Sequence, residues 1–119
     1  MAEGAPKSGE FFDGKLWFDR KGTVVTIGLN NSAFEEIGLL ESVELPVEGD
    51  DFVKGEVLAT VDGSKGSLGV IAPASGVIEE INGAVTEELD RIVEDPREEG
   101  WLVRINIQDT SELKEYAEL

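Results

Sequence analysis

The amino-acid sequence predicts a mostly β fold: a flattened barrel or sandwich of two small antiparallel sheets, with short flanking helices and a C-terminal helix. Short runs rich in Val, Ile and Leu recur along the 119 residues, and clusters of Gly, Asn, Asp and Pro separate them at close intervals. A chain of this length suits one domain. We expect residues 1–10, which mix Gly, Pro, Ala, Ser and charge, to form a flexible tail, and residues 11–119 to form the single domain.

The first elements are predicted to be a hairpin and a helix. Residues 16–18 and 23–29 are rich in strand-forming side chains, and the polar residues between them are typical of a turn. A short helix should follow, capped by Asn31 or Ser32, because Ser32 and Glu35 have the spacing of a capping box. Gly38 is expected to end this helix, since glycine readily adopts the left-handed conformation found just after a helix.

The middle of the chain predicts four strands. Residues 43–47 alternate apolar and polar side chains, as in a half-buried strand. Further apolar runs occupy residues 57–61, 68–72 and 77–81. Residues 62–67 form the most turn-rich stretch of the sequence, and they predict the tip of a hairpin.

The last third predicts a helix, a strand and a terminal helix. In residues 86–93 the apolar side chains recur at helical spacing. Residues 101–107 form an apolar run typical of a closing strand. Asp109, Thr110 or Ser111 is expected to cap the C-terminal helix, because each side chain carries an oxygen that accepts a hydrogen bond from a free backbone N–H.

The charge of the protein limits its partners. Ten Lys and Arg against 26 Asp and Glu give a net charge of −16. This charge would repel nucleic acids and anionic membranes, and it suits either solubility or attraction to basic faces of partner proteins. No apolar run approaches the roughly 20 residues that cross a bilayer, and residues 1–10 lack the apolar stretch of a secretory signal. We therefore expect a cytoplasmic protein.

The sequence contains neither Cys nor His. Their absence excludes disulfides, thiolate nucleophiles, thiolate zinc sites and imidazole bases. Carboxylates, lysines and hydroxyls remain available for catalysis. The composition nevertheless favours a carrier or binding module over an enzyme.

Lys65 is the candidate for chemistry. It lies in the turn-rich stretch between two predicted strands, so a hairpin would hold its amine away from the body of the domain. Gly63 and Gly66 remove bulk on either side, which would let another protein approach the backbone. A flexible lysine stem on a rigid hairpin suits an acylation site, because the amine must enter the active site of the attaching enzyme. The alternative is an ordinary solvated surface lysine.

Several motifs together resemble the H protein of the glycine cleavage system. Residues 45–65 read LPVEGDDFVKGEVLATVDGSK, and the family has a similar series of turns and strands leading to a lysine that bears a lipoyl group. Residues 73–82, PASGVIEEIN, are similar to the family's Pro-Val-Ser-Gly-Glu-Val-Val-Glu-Val-Asn at the same offset. Residues 94–102 contain the family's Glu-Asp-Pro and Glu-Gly-Trp-Leu. The similarity covers roughly residues 22–107.

The resemblance implies a lipoyl/biotinyl-type domain with lipoate attached covalently to Lys65. It implies that Asp62, Gly63, Ser64 and Gly66 form the hairpin context recognised by the attaching enzyme, with no metal and no catalytic residue. The chain would be a non-catalytic carrier subunit, and the attached dithiolane would supply the transfer and redox chemistry. Its partners would be a lipoate ligase or lipoyl-transfer enzymes, and the glycine cleavage enzymes between which a swinging arm carries an aminomethyl group. A monomer is expected, because the arm must reach several partners.

Two alternatives stay open. The family's Glu-Ser-Val-Lys-Ala reads Asp-Gly-Ser-Lys-Gly at residues 62–66, and the family's histidine near the first strand is absent. Such differences also fit a lipoate-binding protein that carries sulfur intermediates in heterodisulfide-reductase-like sulfur oxidation. The other alternative is an unmodified H-like binding protein. Biotin is disfavoured, since biotinyl lysines are typically flanked by Met and the single Met here is Met1.

Overall fold

The computed structural model describes residues 5–116, which form nine β-strands, three short α-helices and one 3-10 helix. The strands are β1 (Ser8–Phe11), β2 (Leu16–Lys21), β3 (Val24–Leu29), β4 (Leu40–Glu44), β5 (Asp51–Phe52), β6 (Val57–Gly63), β7 (Gly66–Ile71), β8 (Gly76–Ile81) and β9 (Val103–Ile107). The helices are α1 (Asn31–Ile37), α2 (Ala84–Glu87), α3 (Asp90–Glu94) and the 3-10 helix Thr110–Tyr116. No helix in this part of the chain is long and apolar enough to cross a membrane.

The strands form two antiparallel sheets. The larger sheet has six strands in the order β1-β2-β3-β9-β8-β5, and the smaller has three in the order β4-β6-β7. Buried side chains from both sheets belong to one hydrophobic cluster, so the sheets pack as a flattened sandwich. This architecture confirms the predicted fold class, and the hairpins β2–β3 and β6–β7 lie where the sequence predicts them.

Strand alternation determines which side chains enter the core. Along β3, Val25, Ile27 and Leu29 are fully buried and belong to the core cluster. Residues at this spacing share one face of a strand, and β9 repeats the pattern. In the larger sheet the alternation is shifted in β8, where a bulge follows Ile78 and leaves both Glu79 and Glu80 exposed to solvent.

Trp17 is buried on the opposite face of the larger sheet. Its neighbours Leu16 and Phe18 belong to the core cluster, so strand alternation directs Trp17 to the other side. The ring lies against Gly28, its cross-strand partner, and the Arg97 guanidinium sits 4.7 Å from the ring centre. These contacts leave the side chain only 1% exposed.

The capping of α1 differs from the prediction. Gly38 ends the helix as expected, with φ at +81°. The predicted capping box is absent, because Asn30 holds the cap position without a side-chain hydrogen bond. The Ser32 hydroxyl instead donates a hydrogen bond to the carbonyl of Gly14 at 3.0 Å. A contact with the β1–β2 turn therefore replaces the local cap.

The strand predicted at residues 43–47 is shorter than expected. β4 ends at Glu44, ahead of Pro46, which has no N–H to offer a sheet. Val47, predicted to be half-buried, is 66% exposed. The sequence does not predict β5, which is two residues long, lies in an acidic turn and pairs with β8.

The last third is also rearranged. The helix predicted at residues 86–93 is two helices, because Glu88 has φ −124° and ψ 74°, outside the helical region. The closing strand begins at Val103 rather than at residue 101. The terminal element is a 3-10 helix, and Asp109 caps it by accepting a hydrogen bond from the Ser111 N–H at 2.9 Å.

Regular structure begins before the predicted domain boundary at residue 11. β1 starts at Ser8 and pairs with β2, whose edge would otherwise leave its backbone groups unpaired. The Arg20 guanidinium donates hydrogen bonds to the carbonyls of Ala5 at 3.1 Å and Pro6 at 2.9 Å. Residues 5–10 are therefore held against β2, contrary to the tail that composition predicts. Residues 1–4 lie outside the described residues.

Candidate functional site

Lys65 lies at the tip of the β6–β7 hairpin. The two strands remain paired up to Gly63 and Gly66, so the loop consists of Ser64 and Lys65 alone. The turn is shorter than the predicted stretch of residues 62–67, because the strands continue into that stretch from both sides. Lys65 is exposed, and no hydrogen bond or ion pair joins its Nζ to another described residue.

Three hydrogen bonds fix the backbone of this tip to the last residue of α1 and to the segment that follows α1. The Ser64 N–H donates to the carbonyl of Leu39 at 2.8 Å, and the Lys65 N–H donates to the carbonyl of Ile37 at 2.8 Å. The Leu39 N–H donates back to the Ser64 Oγ at 3.1 Å. We call these contacts the tip clamp. They hold the lysine backbone while its side chain extends into solvent.

Two glycines make the tip clamp sterically possible. A Cβ on Gly38 would lie 2.5 Å from the Ser64 Oγ and 3.0 Å from the Lys65 Cγ. A Cβ on Gly63 would lie 2.3 Å from the carbonyl oxygen of Ile37. Real Cβ atoms do not approach other atoms so closely, so both positions require glycine.

The sequence gives Gly63 and Gly66 the same role, but their surroundings differ. Gly63 is required by a contact within the chain, not by the approach of another protein. A Cβ on Gly66 would meet no atom within 4 Å. The backbone beside Lys65 is therefore open on the Gly66 side and tightly packed on the Gly63 side.

Asp62 is held between two hydroxyls on neighbouring strands. Ser42 donates to one carboxylate oxygen at 3.0 Å, and Ser67 donates to the other. Because both bonds stabilise the charged form, that of Ser67 most strongly, the pKa of Asp62 lies below its usual value of 3.8. A negative charge is thus fixed near the base of the tip at neutral pH.

Three residues of this site, Ser67, Ser42 and Leu39, are not among the candidates that the sequence predicts. The contact between Ser67 and Asp62 could have been predicted from the sequence, because a two-residue loop places the two residues directly opposite each other in the hairpin. Ser42 and Leu39 belong to β4 and the segment before it, so no local pattern links them to Lys65. Leu39 is also notable because its side chain is 80% exposed.

The arrangement presents an amine at the surface of the domain. In residues 5–116, no three His, Cys, Asp or Glu side chains are grouped as metal ligands would be. The unpaired Lys65 amine, on a stem with free space on the Gly66 side, fits covalent attachment of a carboxylic acid. The fold and the site therefore define a carrier domain, a β sandwich that displays one lysine on a clamped hairpin.

Comparison with known proteins identifies the family. The model of the glycine cleavage H-protein family matches residues 10–119, and the chain belongs to that family. Proteins of this family are non-catalytic lipoyl carriers that hold lipoate covalently on a lysine. They work with the enzymes of glycine cleavage and with lipoyl-transfer enzymes.

Individual relatives agree with the family match. The glycine cleavage system H protein of Thermotoga maritima is 38% identical over 99 residues, covering 83% of this chain and 80% of the relative. That of a Cyanothece species is 33% identical over 108 residues, covering 91% and 84%. The crystal structure of a glycine cleavage system H protein from Mycobacterium marinum has a TM-score of 0.77 and 31% identity, covering 86% of this chain and 84% of that one. The sulfur-oxidation alternative receives no support from these comparisons.

Proposed function

We propose that Lys65 carries the lipoyl group and that the resulting arm moves intermediates between the enzymes of glycine cleavage. The observation that carries this proposal is the tip clamp, which fixes the backbone of Lys65 and leaves its amine unpaired in solvent. A swinging arm needs both properties, since a fixed base defines its reach and a free amine is required for its attachment.

The surroundings of other lysines support the choice of Lys65. Lys15 forms an ion pair with Glu36 at 2.5 Å, and Lys54 forms one with Glu115. Lys21 is the last residue of strand β2 and pairs with Val24, so it lies in the strand before the two-residue β2–β3 loop and not in that loop; Lys114 lies in the 3-10 helix. Lys65 combines an exposed, unpaired amine with a position inside a two-residue loop.

Attachment requires ordinary acyl chemistry at Lys65. The deprotonated Nζ attacks the carboxyl carbon of an activated lipoyl donor, a C–N bond forms, and the activating group leaves. The proton lost from the amine passes to solvent or to a base of the attaching enzyme. The product is an amide, so the positive charge of Lys65 disappears. When bound, the dithiolane supplies a redox-active disulfide that accepts and transfers groups.

The residues around Lys65 position it for this chemistry. The charged Asp62 carboxylate and the open side at Gly66 are the features of the tip that an attaching enzyme meets, and we include Ser64 because it holds the turn to Leu39. The acidic surface of the domain suits attraction to basic faces of the partner enzymes. A monomer best serves an arm that visits several partners.

The test is the intact mass of the protein purified from its native cells. The wild type should carry a lipoyl-sized increment, Lys65→Arg should lack it, and the matched control Lys21→Arg should retain it. A wild type that is unmodified in the cell, and is also refused by lipoate ligase in vitro, would contradict the proposal and leave an unmodified H-like binding protein.

A further inference from the structure

Leu39 is the most exposed large hydrophobic side chain in the described part of the chain, at 80%. Single exposed leucines are common on protein surfaces and need no explanation by themselves. The position of this one is unusual, because its N–H and its carbonyl are both hydrogen-bonded to Ser64, the neighbour of Lys65. The tip clamp therefore holds an apolar side chain in solvent beside the candidate lysine.

Distance identifies which partner would cover Leu39. An enzyme that forms the amide must bring its acyl carbon to the Lys65 Nζ, so its surface approaches the hairpin tip to within the length of a four-carbon stem. An enzyme that acts later on the dithiolane works at the far end of a longer arm. Of these two enzymes, it is the attaching enzyme that must come close to the backbone at Ser64, to which Leu39 is hydrogen-bonded.

The charges near Leu39 indicate what that enzyme presents. Glu35 and Glu41 are exposed within four residues of Leu39 in the sequence, and Asp62 is held in its charged form. An enzyme that activates lipoate as an acyl adenylate needs Lys or Arg side chains to bind the phosphate. An acidic rim around an apolar residue complements a basic active-site entrance that contains an apolar pocket.

We propose that Leu39 is an apolar anchor recognised by the adenylate-forming lipoate ligase that acylates Lys65. The inference rests on the proposed function of Lys65 and extends it by assigning a recognition residue outside the hairpin. In the reaction, the Nζ displaces AMP from the lipoyl adenylate, forms the amide and releases a proton. Leu39 takes no part in bond formation, so its contribution is to the affinity of the ligase for the carrier protein.

The chain offers a matched control for this anchor. Val47 is also an exposed aliphatic residue, at 66%, but it follows the end of β4 that lies away from the tip clamp. Leu39→Asn removes the apolar side chain without adding charge. Val47→Asn makes the same kind of change at the distant site. Leu39→Met keeps an apolar side chain of similar size at position 39. Thermal unfolding of each variant verifies that the fold is retained.

The experiment measures initial rates of lipoylation against carrier concentration, with purified lipoate ligase, ATP and lipoate, and mass spectrometry as the readout. We expect Leu39→Asn to raise KM about tenfold, the effect of losing one buried leucine contact, while kcat changes by less than about twofold. Leu39→Met and Val47→Asn should remain close to wild type. The KM of the wild type should also rise with ionic strength, because salt screens the acidic rim.

The outcomes separate this inference from the function on which it rests. If the wild type is acylated at Lys65 and Leu39→Asn has an unchanged KM, the anchor is refuted and the carrier function stands. An equal loss in Val47→Asn would also refute it, because the effect would then not be specific to the tip. If no ligase acylates the wild type in vitro, the anchor is refuted, and the carrier function is then decided by the intact mass of the protein from its native cells.

Discussion

Gly38 and Ser64 approach each other so closely that a Cβ on Gly38 would lie 2.5 Å from the Ser64 Oγ. Gly38 ends helix α1, and Ser64 begins the two-residue loop that carries Lys65. The end of the helix and the tip of the hairpin are thus packed so closely that a side chain on Gly38 would not fit between them. The stiffness of the candidate site depends on this contact between elements that are far apart in the sequence.

Gly38→Ala should weaken the tip clamp and the fold together. Alanine at φ +81° is strained, and its Cβ would push Ser64 and the Lys65 stem away. We expect a loss of about 2 kcal/mol in the free energy of unfolding, measured in urea, with slower lipoylation of the protein that remains folded. Gly66→Ala is the control, because its Cβ meets open space, and it should stay within about 0.5 kcal/mol of wild type. Equal stability of the two variants would contradict the close approach.

Ser64→Ala tests the hydroxyl part of the tip clamp. The variant loses the acceptor of the Leu39 N–H, whereas the N–H groups of Ser64 and Lys65 keep their carbonyl partners. Hydrogen exchange should therefore accelerate at the amide of Leu39 and change little at the other two, with about 0.5–1 kcal/mol lost in stability. Ser64→Thr retains the hydroxyl and should restore protection. Unchanged exchange at Leu39 in the alanine variant would exclude this bond.

Much of the fold is predictable because strand runs and turns are local patterns. The hairpin that carries Lys65 follows from two apolar runs on either side of a glycine-rich stretch. The tip clamp is different, because its bonds join residues 25 positions apart in the case of Leu39 and Ser64. Steric requirements such as that at Gly38 depend on this tertiary contact, so the sequence predicts the lysine and the turn but not what fixes them.

The pKa of Asp62 should depend on the two hydroxyl groups that donate hydrogen bonds to its carboxylate. Its pKa is lowered first by the hydrogen bond from Ser67 and then by that from Ser42. Carboxyl-carbon NMR should show an apparent pKa below the ordinary 3.8, and Ser67→Ala should raise it more than Ser42→Ala does. A wild-type pKa at or above the ordinary value would contradict the bonding described for Asp62.

The same shift predicts the sign of a pH effect on stability. A lowered pKa in the folded state means that folded Asp62 binds a proton less tightly than the unfolded chain does. Its stabilising contribution is therefore complete above the ordinary value of 3.8 and is lost as pH falls through the lowered folded pKa. The stability difference between wild type and Ser67→Ala should accordingly be constant near neutral pH and shrink in acid. A difference that grows in acid would reverse the sign and refute the assignment.

Gly28→Ala should disrupt the outer face of the larger sheet. A Cβ on Gly28 would lie 2.5 Å from the Trp17 ring, and the Arg97 guanidinium packs over that ring. Because the ring must shift to admit the added methyl group, we expect a loss of about 3 kcal/mol in the free energy of unfolding and a changed tryptophan fluorescence spectrum. Gly83→Ala is the control, since its Cβ meets no atom within 4 Å.

A double-mutant cycle separates the steric cause from an effect on the strand itself. In a Trp17→Leu background the large ring is absent, so adding Gly28→Ala should cost less than about 1 kcal/mol. If the cost stayed the same with and without the ring, the glycine would be required by the backbone of β3 and not by Trp17. A smaller cost in the Trp17→Leu background would instead show that the Trp17 ring is what requires glycine at position 28 on the neighbouring strand. The outer face of the sheet would then be packed as strictly at Trp17 as the core is.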